Sequence, residues 1–312
     1  MNIHLDTDFG GDPDDACALA MLLGWHNVNL VGITTTIDPN GLRASQVRHF
    51  LNLIGRADIP VESGATQSLT TNERADPVVG DERFWPLDLA PHPSEPGAAL
   101  ELLQGSIRAG ATIAAIGPAS NFALLEESQP GALDAVPVSL MGGWLNPPQT
   151  GLPHWGPEMD FNVQWDSEAA RVLGESAAAL TLVTLPVTLK AHLRGAHLAR
   201  LRASGPLGAL LARQSEAHAE LNGMTQLARA NPGLPADLLN FHYDPVTCAV
   251  ALGWEGAEIE EKRLRPVNND GVLTFTPHPD GRVMRIVTDI DGDEFSETWL
   301  AAVEAAQRPS PR

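Results

Sequence analysis

Residues 6–19 read DTDFGGDPDDACAL and place five carboxylates, Asp6, Asp8, Asp12, Asp14 and Asp15, within ten positions directly behind the apolar opening MNIHL. The opening reads as a strand and the apolar run after Pro13 as a helix, so the charges crowd the bend at the strand's carboxyl end. Capping accounts for part of this. Asp12 with Pro13 makes a good N-cap and first-turn pair, and Asp14 and Asp15 suit the positive end of the helix dipole. It does not account for Asp6 and Asp8, which flank Thr7 and converge on the same bend. Like charges crowded in a partly buried site raise each other's pKa and destabilise the fold unless a cation neutralises them. Every donor offered is oxygen, and Cys17 lies a full turn inside the helix. A hard divalent cation fits such a set, and the loose coordination of Ca2+ fits it better than the strict octahedron of Mg2+. The stretch fails as an EF-hand, because position twelve of a loop starting at Asp6 is Cys17 where a bidentate Glu is required.

Outward from this bend, short β-branched runs alternate with helical patterns. NIHLD is followed by PDDACALAMLLGW, NLVGITTTI by LRASQVRHFLNLIG, and the rhythm resumes after a Pro- and acid-rich stretch (70–98) with ATIAAIG, VPVSLMGG and LTLVTLPVTL. This is the pattern of an α/β protein with a mostly parallel, Rossmann-like central sheet flanked by helices, whose ligands sit at the strands' carboxyl ends. Residues 190–255 read as helical, with LGALLARQSEAHAELNGMTQLARA as the longest amphipathic run. The end reads as two or three strands with turns at Asp270-Gly271 and Asp280-Gly281, then a last helix. No linker or repeat interrupts residues 1–312, so a single domain with a C-terminal helical and β-hairpin addition is expected.

The 312 residues carry 39 acidic against 20 basic side chains, a net charge of −19, and no Lys/Arg-rich run. Nucleic acid polymers and anionic membranes are therefore excluded as partners. Cys17 and Cys248 have no metal or redox spacing and read as buried thiols. With no signal peptide and no stretch near ~20 apolar residues, a cytoplasmic protein is expected.

The bend resembles the N-terminal fingerprint of the inosine-uridine type nucleoside hydrolases, Asp-x-Asp-Pro-Gly-x-Asp-Asp-x-x-Ala-Leu. Further landmarks are similar and occur in family order: LVGITTT, IPVESGA, IGPASNFA, SLMGG, DFNVQWDSEAA and YDPVTCAVA. The resemblance implies the nucleoside hydrolase fold and Ca2+-dependent hydrolysis of ribonucleoside N-glycosidic bonds in nucleoside salvage. It implies a small nucleoside substrate and a homodimer or homotetramer. By position, it implies that Asp8 ligates the metal and acts as general base, with Asp15, Asp244 and the main-chain carbonyl of Ile116 as further ligands and Asp6 as a supporting acid. It implies that Asp14, Asp160, Asn162 and the Met141 backbone hold the sugar, with Asn40 (or Asp38) and Asn146 as the two asparagines that follow the second strand and the SLMGG strand.

Two departures fall on the base side: the histidine that many members place before the second metal aspartate is Tyr243, with His242 one position earlier, and GDERFWP (80–86) replaces a His-Gly loop. On the sugar side, the Glu expected at 160 is Asp, shorter by one methylene. Tyr243, His242, Trp155 and His154 are the candidates for the leaving-group side. A haloacid dehalogenase-type phosphatase fits LDTDFG but lacks its later motifs. The remaining alternative is a catalytically impaired or different-substrate member that binds a ribosyl ligand through the Ca2+ site.

Overall fold

The computed structural model describes residues 1–307. In chain order, β1 (Asn2–Thr7), α1 (Asp14–Gly24), β2 (Asn29–Thr35), α2 (Leu42–Asn52) and β3 (Val61–Ser63) form the first units. After the stretch 64–97 come α3 (Ala98–Arg108), β4 (Thr112–Ala115), α4 (Ser120–Ser128), β5 (Pro137–Met141), α5 (Phe161–Trp165), α6 (Ser167–Glu175) and β6 (Ala179–Val183). The helical region holds α7 (Leu185–Thr188), β7 (His192–Arg194), α8 (Leu198–Ser204), α9 (Pro206–Leu221), α10 (Met224–Ala230), β8 (Leu238–Phe241) and α11 (Tyr243–Ala251). The chain continues through β9 (Ala257–Asn269), β10 (Val272–Pro277), β11 (Arg282–Ile290) and α12 (Gly292–Ala306).

Nine strands make one sheet in the order β10-β9-β11-β6-β5-β4-β1-β2-β3. The five pairings from β11 to β2, and β2 with β3, are parallel; among the described residues only β9 runs against β11 and β10. The mostly parallel sheet expected from the strand–helix rhythm is therefore present, and the C-terminal hairpins extend the sheet itself rather than forming a separate layer. Asp270 (φ 51°) and Gly271 (φ 91°) both adopt left-handed conformations, which is the two-residue turn that matches strand twist.

Alternation along the strands divides the core. Ile3 and Leu5 of β1 pack on the face covered by α1, α2, α11 and α12, while Ile113 and Ala115 of β4 pack on the face covered by α3, α4 and α6. The Trp299 indole N–H donates to the Cys17 carbonyl oxygen at 3.0 Å and locks α12 to α1. Two features differ from the sequence reading. The long amphipathic run breaks at Gly223 (φ 62°) into α9 and α10, and β7 pairs antiparallel with β8 in a small separate sheet within the region read as helical. Cys17 and Cys248 are buried free thiols inside α1 and α11. Among the described residues no helix is long and apolar enough to cross a membrane.

Candidate active site

β1 ends at Thr7, and the chain turns through Phe9–Pro13 before α1 begins. Phe9 anchors this loop in the core, 5.8 Å from the Phe50 ring and 5.3 Å from Trp85. Gly10 has φ 102°, and a Cβ there would lie 1.8 Å from Gln46 Oε1, so the turn needs glycine. Asp12 does cap the helix as expected, its Oδ1 accepting the Asp14 N–H at 3.0 Å, although α1 starts one residue later than an Asp12 N-cap implies.

Asp14 and Asp15 on the first turn of α1 and Asp244 on the first turn of α11 are all buried, with carboxylate oxygens within 4.8 Å of one another. The Asp244 backbone N–H donates to Asp14 Oδ2 at 3.3 Å, tying the two helix starts together. Thr7 Oγ1 donates to Asp15 Oδ1. Burial first, and then the neighbouring carboxylates, push Asp14, Asp15 and Asp244 well above the usual carboxylate range. Asp8 is also raised by burial, against the opposing effect of the nearby Arg43 guanidinium. Arg43 does not salt-bridge these carboxylates. It donates to the carbonyl oxygens of Asp8, Phe9 (2.9 Å) and Ile37 (2.9 Å). Among the described residues no salt bridge pairs this cluster, and the one guanidinium nearby acts on Asp8 and Asp15 only at a distance, which leaves the excess negative charge that a bound cation would relieve.

These groups line a cavity of about 580 Å³ at the carboxyl ends of the parallel strands. Among its lining residues, Asn162 Nδ2 donates to the carbonyl oxygens of Ile116 (3.0 Å) and Met141 (3.1 Å), and so ties the ends of β4 and β5 together. Asp160 caps α5, with its Oδ1 accepting from the Val163 N–H and its Oδ2 from the Gly143 N–H at 2.6 Å; burial raises it to about 6. Tyr243, Trp155, Phe161, Met159, Leu185 and Asn222 also line it. A larger open groove of about 870 Å³ lies elsewhere, beside Lys190 and Arg194, but those cations are already matched by Asp289 and Asp237.

Of the residues singled out in the sequence, Asp8, Asp14, Asp15, Ile116, Met141, Trp155, Asp160, Asn162, Tyr243 and Asp244 come together around this cavity. Asp6 sits directly behind it, fully buried, with Thr34 Oγ1 and Asn121 Nδ2 (2.6 Å) both donating to its Oδ2 and nothing to its Oδ1. Burial raises Asp6 to about 7.

Asn40, Asn146, His154 and His242 are placed outside the cavity lining. Asn40 donates to the Val78 carbonyl at 3.2 Å. Asp38, the other possibility after the second strand, caps α2 by accepting the N–H groups of Arg43 (3.1 Å) and Ala44 (3.0 Å). Asn146 lines a separate small pocket with Thr184 and Lys190. His154 is exposed on the loop after β5. His242 is turned into the core, its ring centroid 4.4 Å from that of Trp299 and neither nitrogen partnered. Sequence reasoning did not single out Arg43 or Asn222. A lone cation two residues past Gly41 in an otherwise acidic site, and a polar residue just before the helix-breaking Gly223, were the available signals.

A family model described as inosine-uridine preferring nucleoside hydrolase matches residues 3–297. RihA, a pyrimidine-specific ribonucleoside hydrolase of Salmonella schwarzengrund, is 32% identical over 221 residues, 67% of this chain and 68% of that protein. A purine-preferring ribonucleoside hydrolase from Gardnerella vaginalis superposes with a TM-score of 0.82 at 19% identity, covering 98% of this chain and 99% of that one. An inosine-uridine preferring nucleoside hydrolase from Bacillus anthracis gives 0.67 at 17% identity over 97% and 99%. The two superpositions show a shared fold. With its acidic cavity at the strand ends and a family match spanning nearly the whole chain, this protein belongs to the inosine-uridine preferring nucleoside hydrolase family, enzymes that hydrolyse N-glycosidic bonds.

Proposed function

We propose that the chain hydrolyses the N-glycosidic bond of ribonucleosides with the help of one Ca2+, releasing ribose and free base. The observation that carries this reading is the set of buried carboxylates of Asp14, Asp15 and Asp244 within 4.8 Å of one another, beside Asp8 and without a salt-bridge partner among the described residues. The donor chemistry fits a hard cation: every ligand is oxygen, and burial with nearby acids keeps the Cys17 thiol protonated. Asp8, Asp15, Asp244 and the Ile116 carbonyl oxygen would hold it. When bound, Ca2+ supplies the positive charge that neutralises these carboxylates and acidifies a water in the cavity.

The chain's own residues do the rest. Asp8, at the end of β1, accepts a proton from the attacking water as general base. Asp14 accepts a hydrogen bond from a ribose hydroxyl. Asn162, its amide nitrogen committed to two backbone carbonyls, presents its oxygen to the sugar. Positive charge developing on the sugar ring is stabilised by the surrounding carboxylates, as in glycoside hydrolysis generally. Tyr243, kept protonated by burial and then by Asp12, donates to the departing base, and Trp155 offers it a stacking face.

A second reading is favoured by one observation: among the described residues no histidine lines the cavity. It is a member that binds a ribosyl ligand through the same site and releases base slowly or not at all. The test is sugar release from inosine, adenosine, guanosine, uridine and cytidine by wild type and Asp8→Asn, with and without chelator, alongside calorimetry with ribose. Turnover that chelator and Asp8→Asn both abolish supports hydrolysis; ribose binding with no turnover of any nucleoside selects the second reading.

A further inference from the structure

Asp12 is the one cavity carboxylate that neither the cation cluster nor the sugar contacts use. Its Oδ1 is saturated by the Asp14 N–H (3.0 Å) and Asn240 Nδ2 (2.5 Å). Its Oδ2 receives no N–H within hydrogen-bond distance among the described residues. Nε2 of His218 lies 3.7 Å from it, and the Asp12 side chain is 34% exposed. His218 is 7% exposed, and its Nε2 has no hydrogen-bond partner although it is aimed at this carboxylate. The tautomer follows from the other side of the ring, where Nδ1 lies 3.2 Å from Asn222 Nδ2, a donor, so the imidazole proton sits on Nε2. Asn222 Nδ2 also donates to the His218 carbonyl (3.1 Å), which leaves the Asn222 amide oxygen as its group free to face the cavity.

Asp12 lines the same cavity as Asp14, the group assigned to the ribose, and Tyr243, the group assigned to the base, and its Oδ1 accepts the Asp14 N–H. The wall at this point thus offers a carboxylate oxygen and an amide oxygen, both hydrogen-bond acceptors. Acceptors reward an exocyclic amino group placed there, and an exocyclic carbonyl oxygen in the same place meets unpaired like dipoles, although the ring N–H of uracil or hypoxanthine lies one atom away.

We propose that Asp12, backed by His218 and Asn222, is the specificity-determining residue of the base subsite and selects nucleosides whose base carries an exocyclic amino group, such as cytidine and adenosine, over their oxo counterparts uridine and inosine. This rests on the nucleoside hydrolase reading. A substrate N–H reaching Asp12 Oδ2 takes up an oxygen that no protein N–H uses, on a side chain that is 34% exposed to solvent, and a charge-assisted hydrogen bond of this kind is worth about a factor of ten in discrimination.

The experiment is kcat/KM for the pairs cytidine/uridine and adenosine/inosine with the Ca2+-loaded protein, wild type and Asp12→Asn. In that variant the capping oxygen is kept while a donor replaces the free acceptor. Wild type is expected to favour the amino member of each pair by about tenfold or more, and Asp12→Asn to abolish or invert that ratio. A parallel wild-type measurement with N4,N4-dimethylcytidine, which lacks the N–H donors, is expected to fall to the level of uridine and does not depend on the variant folding. Equal or oxo-favouring ratios in wild type, full activity on the dimethyl analogue, or an unchanged ratio in a folded Asp12→Asn each overturn the inference while leaving hydrolysis standing. No sugar release from any of the five nucleosides overturns the hydrolase reading itself, and this inference with it.

Discussion

Asp6 tests the electrostatic logic of the site without touching the cavity wall. Its carboxylate is fully buried, with both hydrogen bonds on Oδ2 and none on Oδ1, and burial lifts its pKa from 3.8 to about 7. A carboxylate raised in the folded state binds more protons folded than unfolded. The stability it confers is therefore fully present below about pH 4 and is lost as pH rises through about 7. A shift of roughly three units corresponds to about 4 kcal/mol in all, of which about 2.5 kcal/mol falls between pH 5 and pH 8. At roughly 2.1 cal/mol/K of unfolding entropy per residue, that is about 4 °C in Tm for a chain of this size. The perturbation is Asp6→Asn, which cannot ionise, and the assay is thermal unfolding in chelator at pH 5 and pH 8. The slope is the readout, because the new amide hydrogens shift the level at both pH values. The wild type is expected to lose about 4 °C more than Asp6→Asn over this interval, and added Ca2+ is expected to shrink the gap. Equal slopes for the two proteins in chelator would refute the reasoning.

Three further outcomes are expected. Gly24→Ala, which drives a Cβ to 1.8 Å from the Ala302 carbonyl oxygen where α1 meets α12, is expected to cost about 3 kcal/mol or more, read as a lowered urea midpoint at unchanged m. Asn162→Ala removes the amide that ties β4 to β5 and that is proposed to face the sugar, and is expected to raise KM for every nucleoside by about tenfold regardless of base. Tyr243→Phe is expected to lower kcat by about 10²-fold with little change in KM, and an unchanged kcat removes Tyr243 as proton donor.

The parts of the fold that sequence disclosed are those dictated by local periodicity. Each inner strand is a short β-branched run ending in a turn cluster, and each crossover helix carries its own apolar face, so the parallel sheet was legible from β1 to β6. β7 and β8 were not, because strands of three and four residues that pair across more than forty positions leave no local pattern. The β1–α1 half of the acidic cluster was legible because Asp14 and Asp15 share one contiguous bend with Asp8, whereas Asp244, which joins them, comes from a helix start far along the chain. Asn40 and Asn146 lie in long loops, where sequence position carries no direction, and their side chains turn to Val78 and to a neighbouring pocket. His242 and Tyr243 are adjacent, yet a single step at the start of α11 sends one to Trp299 and the other to the cavity. Asp12 shows the converse: its cap was legible, but its free oxygen depends on His218, two hundred residues away.

The central claim is that the carboxylates of the β1–α1 bend and the α11 start form a cation site on which hydrolysis depends. The most direct measurement is Ca2+ add-back to chelated protein, following bound metal and sugar release together. The account predicts one Ca2+ per chain, activity that rises in step with occupancy, and a loss of both in Asp244→Asn. Sugar release that persists in chelator, or that stays at zero while one Ca2+ per chain binds, would contradict it.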